Sequence, residues 1–168
     1  MRRAAVLLLF VAACQTPEEA AHARLMRFVE QHPPGKWTVT DRMEVHRLAR
    51  AYLDLPHHEH RRWMTVSYGA LWSVLRDDPE ADRNELLRTA HGMEEYGYFP
   101  RWRFVEPARL LAERNIDLDY AEHLARRGIV ESHRVFRRHP EAPRPWQAEV
   151  IGEAHESLGI VLRKRGPH

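Results

Sequence analysis

Residues 58–76 read HEHRRWMTVSYGALWSVLR, and the apolar members Trp63, Val66, Ala70, Leu71, Val74 and Leu75 recur at intervals of three and four. That is the period of an α-helix with one face against a core, dense enough here to predict a central helix over 58–76. Strand-like alternation persists nowhere in the 168 residues, and Pro and Gly gather at the junctions between periodic stretches. An all-α chain follows. Upstream, Thr16-Pro17-Glu18-Glu19 supplies an N-cap, a proline at the first helical position and a capping-box glutamate, and Leu25, Phe28 and Val29 form the buried stripe. His32-Pro33-Pro34-Gly35 stops that helix. A second is expected to open at Asp41, with Glu44 reaching back, and to carry Met43, Leu48, Ala51 and Tyr52 on one face as far as Leu55-Pro56.

Downstream, the same signals predict helices over about 80–96, 104–114 with Pro107 near its start, 118–136, and 146–165, the last closed by Gly166-Pro167. Seven helices joined by short loops predict antiparallel neighbours, that is, stacked helical hairpins or an irregular helical bundle. A chain that is 43% hydrophobic and 30% charged excludes disorder, collagen and a polytopic membrane protein, which leaves one soluble globular domain after the leader described next.

Residues 1–14, MRRAAVLLLFVAAC, set two cations before a short apolar run, two small residues and the only cysteine. This is the order of an export signal. The run from Ala4 to Ala13 would span roughly 15 Å as a helix, about half a bilayer core, so it is too short for a permanent anchor. Val11-Ala12-Ala13-Cys14 resembles the lipobox of bacterial lipoproteins. The resemblance implies cleavage after residue 13, a lipidated Cys14 carrying acyl chains such as palmitate, a mature domain over 14–168, and a membrane-anchored place in the cell envelope. By the same family rule Gln15 favours the outer membrane where the source has one. An ordinary secretory signal with a coincidental cysteine, and a buried apolar N-terminal helix, fit the same residues. With a single cysteine no intramolecular disulfide can form, so the domain relies on its core.

Without Arg2 and Arg3 the chain balances at 24 basic against 24 acidic residues. That is no electrostatic footprint for nucleic acid. Arg126-Arg127, Arg137-Arg138 and Arg163-Lys164-Arg165 lie among Glu122, Glu131, Glu149, Glu153 and Glu156, a pattern read as a solvated, ion-paired face.

Near the C-terminal end, Ala154, Leu158, Gly159, Leu162 and Gly166 resemble the first helix of a tetratricopeptide repeat, and Leu118 to Ala125, with Ala121 as the small packing residue, resembles the second helix of one. The resemblance covers about one and a half repeats, strongest over 104–168, and implies stacked hairpins that dock other proteins. It gives Gly159 the purpose of admitting a neighbouring helix and puts His155 in the interface. Ala121 and Leu158 are 37 apart, about 16 more than a 34-residue period allows, which marks Ile129 to Pro145 as an insertion.

The chemistry-bearing residues are sparse. His57 and His60 in Pro56-His57-His58-Glu59-His60 stand one helical turn apart and are weak candidates for metal ligands, although no His-Glu-x-x-His is present. No nucleophile elbow, Walker loop or dinucleotide fingerprint occurs, no catalytic residue is singled out, and no cofactor is implied. Tyr96, Tyr98, Phe99, Trp102 and Phe104 crowd nine positions with Arg101 and Arg103 among them. Such rings either fill the bend between two hairpins or form a partner surface. The expectation is therefore a non-catalytic, lipid-anchored adaptor or scaffold for envelope proteins, using Tyr98, Phe99, Trp102, Leu158, Gly159 and Leu162, with no nucleic-acid partner. A small exported metal-binding protein using His57 and His60 is the alternative.

Overall fold

The structure, a computed structural model, describes residues 16–56 and 58–166. The leader with Cys14 lies outside the described residues, as does His57. Most of the described residues lie in seven α-helices: α1 (Pro17–Gln31), α2 (Val39–Leu53), α3 (Arg61–Arg76), α4 (Arg83–Tyr96), α5 (Glu106–Glu113), α6 (Leu118–Arg138) and α7 (Arg144–Arg165), with a π-helical turn at Arg101–Val105 running into α5. The described residues contain no strand, and no helix among them is long and apolar enough to cross a membrane. The all-α expectation holds. The helices fall into two compact units, one ending at Leu71 and one beginning at Trp72 within α3.

In the first unit α1 begins as its capping residues require. Thr16 Oγ1 accepts from Glu19 N at 3.1 Å while the Glu19 carboxylate accepts from Thr16 N at 2.9 Å, so two otherwise unpaired donors are satisfied at once. The helix ends at His32, whose backbone N–H reaches Phe28 O at 2.9 Å and whose ring stacks on Phe28 at 4.2 Å. Its stripe centres on Leu25, fully buried, with Phe28 and Val29 half-buried.

Helix α2 departs from the sequence reading at its start. The cap is Thr38, not Asp41. Asp41 is instead the residue that reaches back, its carboxylate 2.9 Å from Thr38 N, with Thr38 Oγ1 accepting from Asp41 N at 3.2 Å. The cap sits one turn earlier, and the buried face is Val45, Leu48, Ala49 and Tyr52, at the i, i+3, i+4, i+7 spacing. Met43, 68% exposed, and Ala51, also exposed, lie off that face, which corrects their assignment to it. Helix α3 likewise begins at Arg61, leaving His58 to His60 in the loop before it.

In the second unit α6 runs along α7, α5 packs on both, and the π-helical turn lies on α6. The turn is a local answer to Pro107. Proline lacks the N–H and crowds the carbonyl four residues back, so the helix widens just ahead of it, with Glu106 N–H reaching Arg101 O five residues earlier. Helix α5 ends in a Schellman arrangement built on Asn115 at φ 55°: Ile116 N donates to Leu111 O at 2.8 Å and Asn115 N to Ala112 O at 3.1 Å, with Ile116 buried behind them. Asp117 then caps α6 through Tyr120 N at 3.0 Å.

The close helix approach in this unit occurs at Gly128 rather than Gly159. A Cβ on Gly128 would stand 3.0 Å from Val105 Cγ2 and 3.3 Å from Phe104 Cβ, whereas one on Gly159 would meet only Arg163 Nη1, at 3.5 Å. The tetratricopeptide reading of Gly159 as a packing glycine is therefore corrected, and His155, expected in an interface, is exposed. Ala121, fully buried, does pack as a small residue should.

These two glycines predict opposite responses. Gly128→Leu overfills the α6 contact with the π-helical turn and should destabilise by about 1–3 kcal/mol. Gly159→Ala adds helix propensity with only an ordinary contact to the end of the flexible Arg163 side chain and should stabilise by up to about 1 kcal/mol. Urea unfolding midpoints measure both, and a stabilised Gly128→Leu would show that the turn does not lie on α6 as described.

Candidate functional site

Glu18, in the first turn of α1, points its carboxylate into the protein rather than to solvent, and it is buried. Three groups donate to it. Tyr52 Oη, from the buried face of α2, lies 2.7 Å from Oε1. Glu59 N lies 3.2 Å from Oε1 and 3.3 Å from Oε2, and His60 N 3.5 Å from Oε1. The last two are the backbone donors just ahead of α3, whose first turn closes on His60 O through Trp63 N at 2.9 Å and Met64 N at 3.3 Å. One carboxylate thus joins α1 to α2 and to the backbone just ahead of α3.

The electrostatics follow from this geometry. Burial raises the carboxyl's pKa, but the hydrogen bonds from Tyr52, Glu59 and His60 outweigh it and hold Glu18 below the ordinary carboxylate range. Burial, together with donation to that carboxylate, pushes the Tyr52 phenol far above its usual value. Aromatic rings enclose the pair: His22 stacks on Trp63 at 4.4 Å, His60 sits 4.0 Å from the same ring, and His58 lies 5.0 Å from Tyr52. Burial lowers the His22 pKa, only partly countered by Glu18. Beside the carboxylate a pocket of about 240 Å³ opens between Glu18, Leu55, Pro56, Glu59 and His60.

The predicted ligand pair is thus seen only in part. His60 is exposed at the lip of this pocket, and His57 lies outside the described residues. The carboxylates that could hold a cation with His60 are Glu18 and Glu59, with one ligand atom of each of the three within 4.8 Å of the others. Glu18 was legible only as a first-turn residue, because its partners lie 34 to 42 positions away and no local pattern joins them.

The aromatic crowd divides. Phe104 is buried, flanked by the guanidinium carbons of Arg103 and Arg127 at 4.8 and 5.0 Å from its centroid. Phe99 is half-buried, stacked on Trp146 at 4.9 Å, with Phe136 and Trp102 each 6.3 Å away. Trp102, 54% exposed, is the solvent-facing member of this cluster, and Tyr98, next in the chain to Phe99, is 72% exposed. On α7, Leu158 and Gly159 are half-buried and Leu162 is 42% exposed. The interleaved arginines are occupied. Arg101 Nη2 lies 2.7 Å from Glu153 and its Nη1 3.6 Å from Glu149, and Arg103 Nε donates to Glu94 O at 2.8 Å.

No family model, curated protein or solved structure matches this chain.

The Glu18 hub makes two measurable demands. Tyr52→Phe removes a charge-assisted hydrogen bond from a buried carboxylate and should cost about 1.5–3 kcal/mol in chemical denaturation. Glu18, held below the ordinary carboxylate range, contributes stability that is present above that range and is lost as pH falls through the folded value. Glu18→Gln should therefore flatten the acid limb of the stability–pH profile, and an unchanged acid limb would mean that the carboxylate is not held as described.

Proposed function

We propose that this chain is a lipid-anchored, non-catalytic adaptor of a bacterial cell envelope, which holds a partner protein through the aromatic edge formed by Tyr98 and Trp102. The observation that carries the reading is the exposure of those two rings, 72% and 54%, with Trp102 set edge-on to Phe99, which itself stacks on Trp146. Large aromatic rings are among the residues that dominate interface energy, and Trp102 is held against Phe99 at 6.3 Å. Their neighbours Arg101 and Arg103 are tied to Glu153 and to Glu94 O, so the edge presents apolar area rather than free cations. It suits a partner with an apolar cleft better than one with an acidic surface. Leu162, exposed on α7, is a second apolar position of the kind the tetratricopeptide resemblance assigns to docking.

The anchor follows from Cys14 in the lipobox-like Val11-Ala12-Ala13-Cys14, with membrane tethering achieved by several acyl chains at about 0.8 kcal/mol per buried methylene. In a Gram-negative source, Gln15 directs it to the outer membrane.

Two measurements test this. The intact mass of the membrane-fraction protein should show an acylated chain beginning at Cys14, absent in Cys14→Ser, and an unmodified, uncleaved wild-type chain would reject the anchor. A photo-crosslinking residue at position 98 should give a discrete adduct with one envelope protein. The same residue at Val130, 55% exposed on α6, should give none, and Trp102→Ala should abolish the adduct while leaving the fold unchanged. Equal labelling from positions 98 and 130, or an adduct indifferent to Trp102→Ala, would reject the docking edge.

A further inference from the structure

We propose that Glu18, Glu59 and His60 form a binding site for one divalent transition-metal cation of the Zn²⁺ type, in the pocket at the start of α3. The inference rests on neither the anchor nor the aromatic edge. Each residue offers one ligand atom, and the three atoms lie within 4.8 Å of one another. Bonds of about 2.0–2.2 Å to oxygen and nitrogen draw such donors closer than that, and the adjustment falls on Glu59 and His60, whose side chains are exposed.

Glu18 distinguishes this group from an ordinary surface cluster. Its carboxylate is buried and its position is set from two sides, by Tyr52 Oη and by the Glu59 and His60 backbone. Those donors converge on Oε1, while Oε2 receives only the shared 3.3 Å bond from Glu59 N, so lone-pair capacity remains on Oε2. Preorganisation of one ligand lowers the ordering cost of binding. The backbone groups that fix Glu18 belong to Glu59 and His60 themselves, so its hydrogen bonds hold the other two ligands beside it. Glu19, the next carboxylate, is occupied by the α1 capping box and is not a ligand.

The donor chemistry selects the cation. Two carboxylates neutralise a dication, and one imidazole favours Zn²⁺ over the hard cations, which take six or more oxygens. Three protein ligands leave a fourth position, and the pocket of about 240 Å³ has room for a water there. Trp63 backs the site, with the His60 ring 4.0 Å from it.

The test uses the full chain stripped with a chelator and titrated with zinc alone by calorimetry. Wild type should bind one Zn²⁺, and Glu59→Gln with His60→Ala should weaken that site by at least about tenfold. Both side chains are exposed, so the double variant should keep the helical circular dichroism and chelator-treated Tm of wild type. Zinc should raise the Tm of wild type and leave that of the variant unmoved. His133→Ala with His139→Ala is the control for zinc on the scattered histidines, of which the chain has 12, and should leave the site intact. No zinc binding by wild type, equal affinity in the Glu59/His60 variant, or loss shared equally with the His133/His139 control would each overturn the site. Any of these would leave Glu18 as a purely structural carboxylate.

Discussion

The first unit depends on a buried negative charge. Taking a carboxylate out of water costs several kcal/mol, and Glu18 meets that cost through hydrogen bonds from Tyr52 and the Glu59 and His60 backbone, which must all be in place together. The unit's geometry is therefore conditional. Tyr52 reaches the carboxylate only if α2 lies against α1 in the register set by Val45, Leu48 and Ala49, and the Glu59 and His60 donors reach it only if the loop after Pro56 turns back over Pro17 and Glu18. An apolar interface tolerates sliding; a charge with fixed donors does not.

The second unit uses the same chemistry in a more exposed setting. Glu94 on α4 accepts from Tyr120 Oη at 2.9 Å and lies 3.2 Å from His123 Nε2 and 3.0 Å from Arg127 Nη1, all three on α6. Its backbone oxygen takes the Arg103 guanidinium, which lies against Phe104. Here a cation shares the carboxylate, and burial together with the Glu94 hydrogen bond pushes the Tyr120 phenol up. Most other ion pairs are of the surface kind read from the charge pattern: Arg126 with Glu122 at 2.7 Å, Arg134 with Glu131 at 2.9 Å, Arg165 with Asp119 at 2.8 Å. Each is worth at most about 1 kcal/mol, so together they keep the face solvated rather than hold the fold.

Sequence legibility followed the range of the interactions. Thr16 caps α1 through a bond spanning three residues, a distance at which residue type and spacing are informative, whereas α4 starts at Arg83 behind Asp82 rather than near 80 as expected. The misreading at α2 came from the same rule, since Thr38-x-x-Asp41 and Asp41-x-x-Glu44 are both acceptable capping boxes. Gly128 and Gly159 both sit in amphipathic helices, and nothing local says which of the two faces Phe104 and Val105. The candidate cation site was half legible, through His60, because histidine is conspicuous. Its buried ligand was not, because a glutamate in a first turn is explained by the helix dipole alone.

By itself, the sequence determined the helical class and the approximate helix boundaries, because each arises from residues within a few positions of one another. Tertiary structure alone decided that Glu18 faces inward to Tyr52, that Tyr98 and Trp102 remain exposed while Phe104 is buried, and that Gly128 carries the close approach. These outcomes depend on which surface each helix presents to partners dozens of residues away. A periodic pattern defines an apolar face, but it does not say what will lie against it.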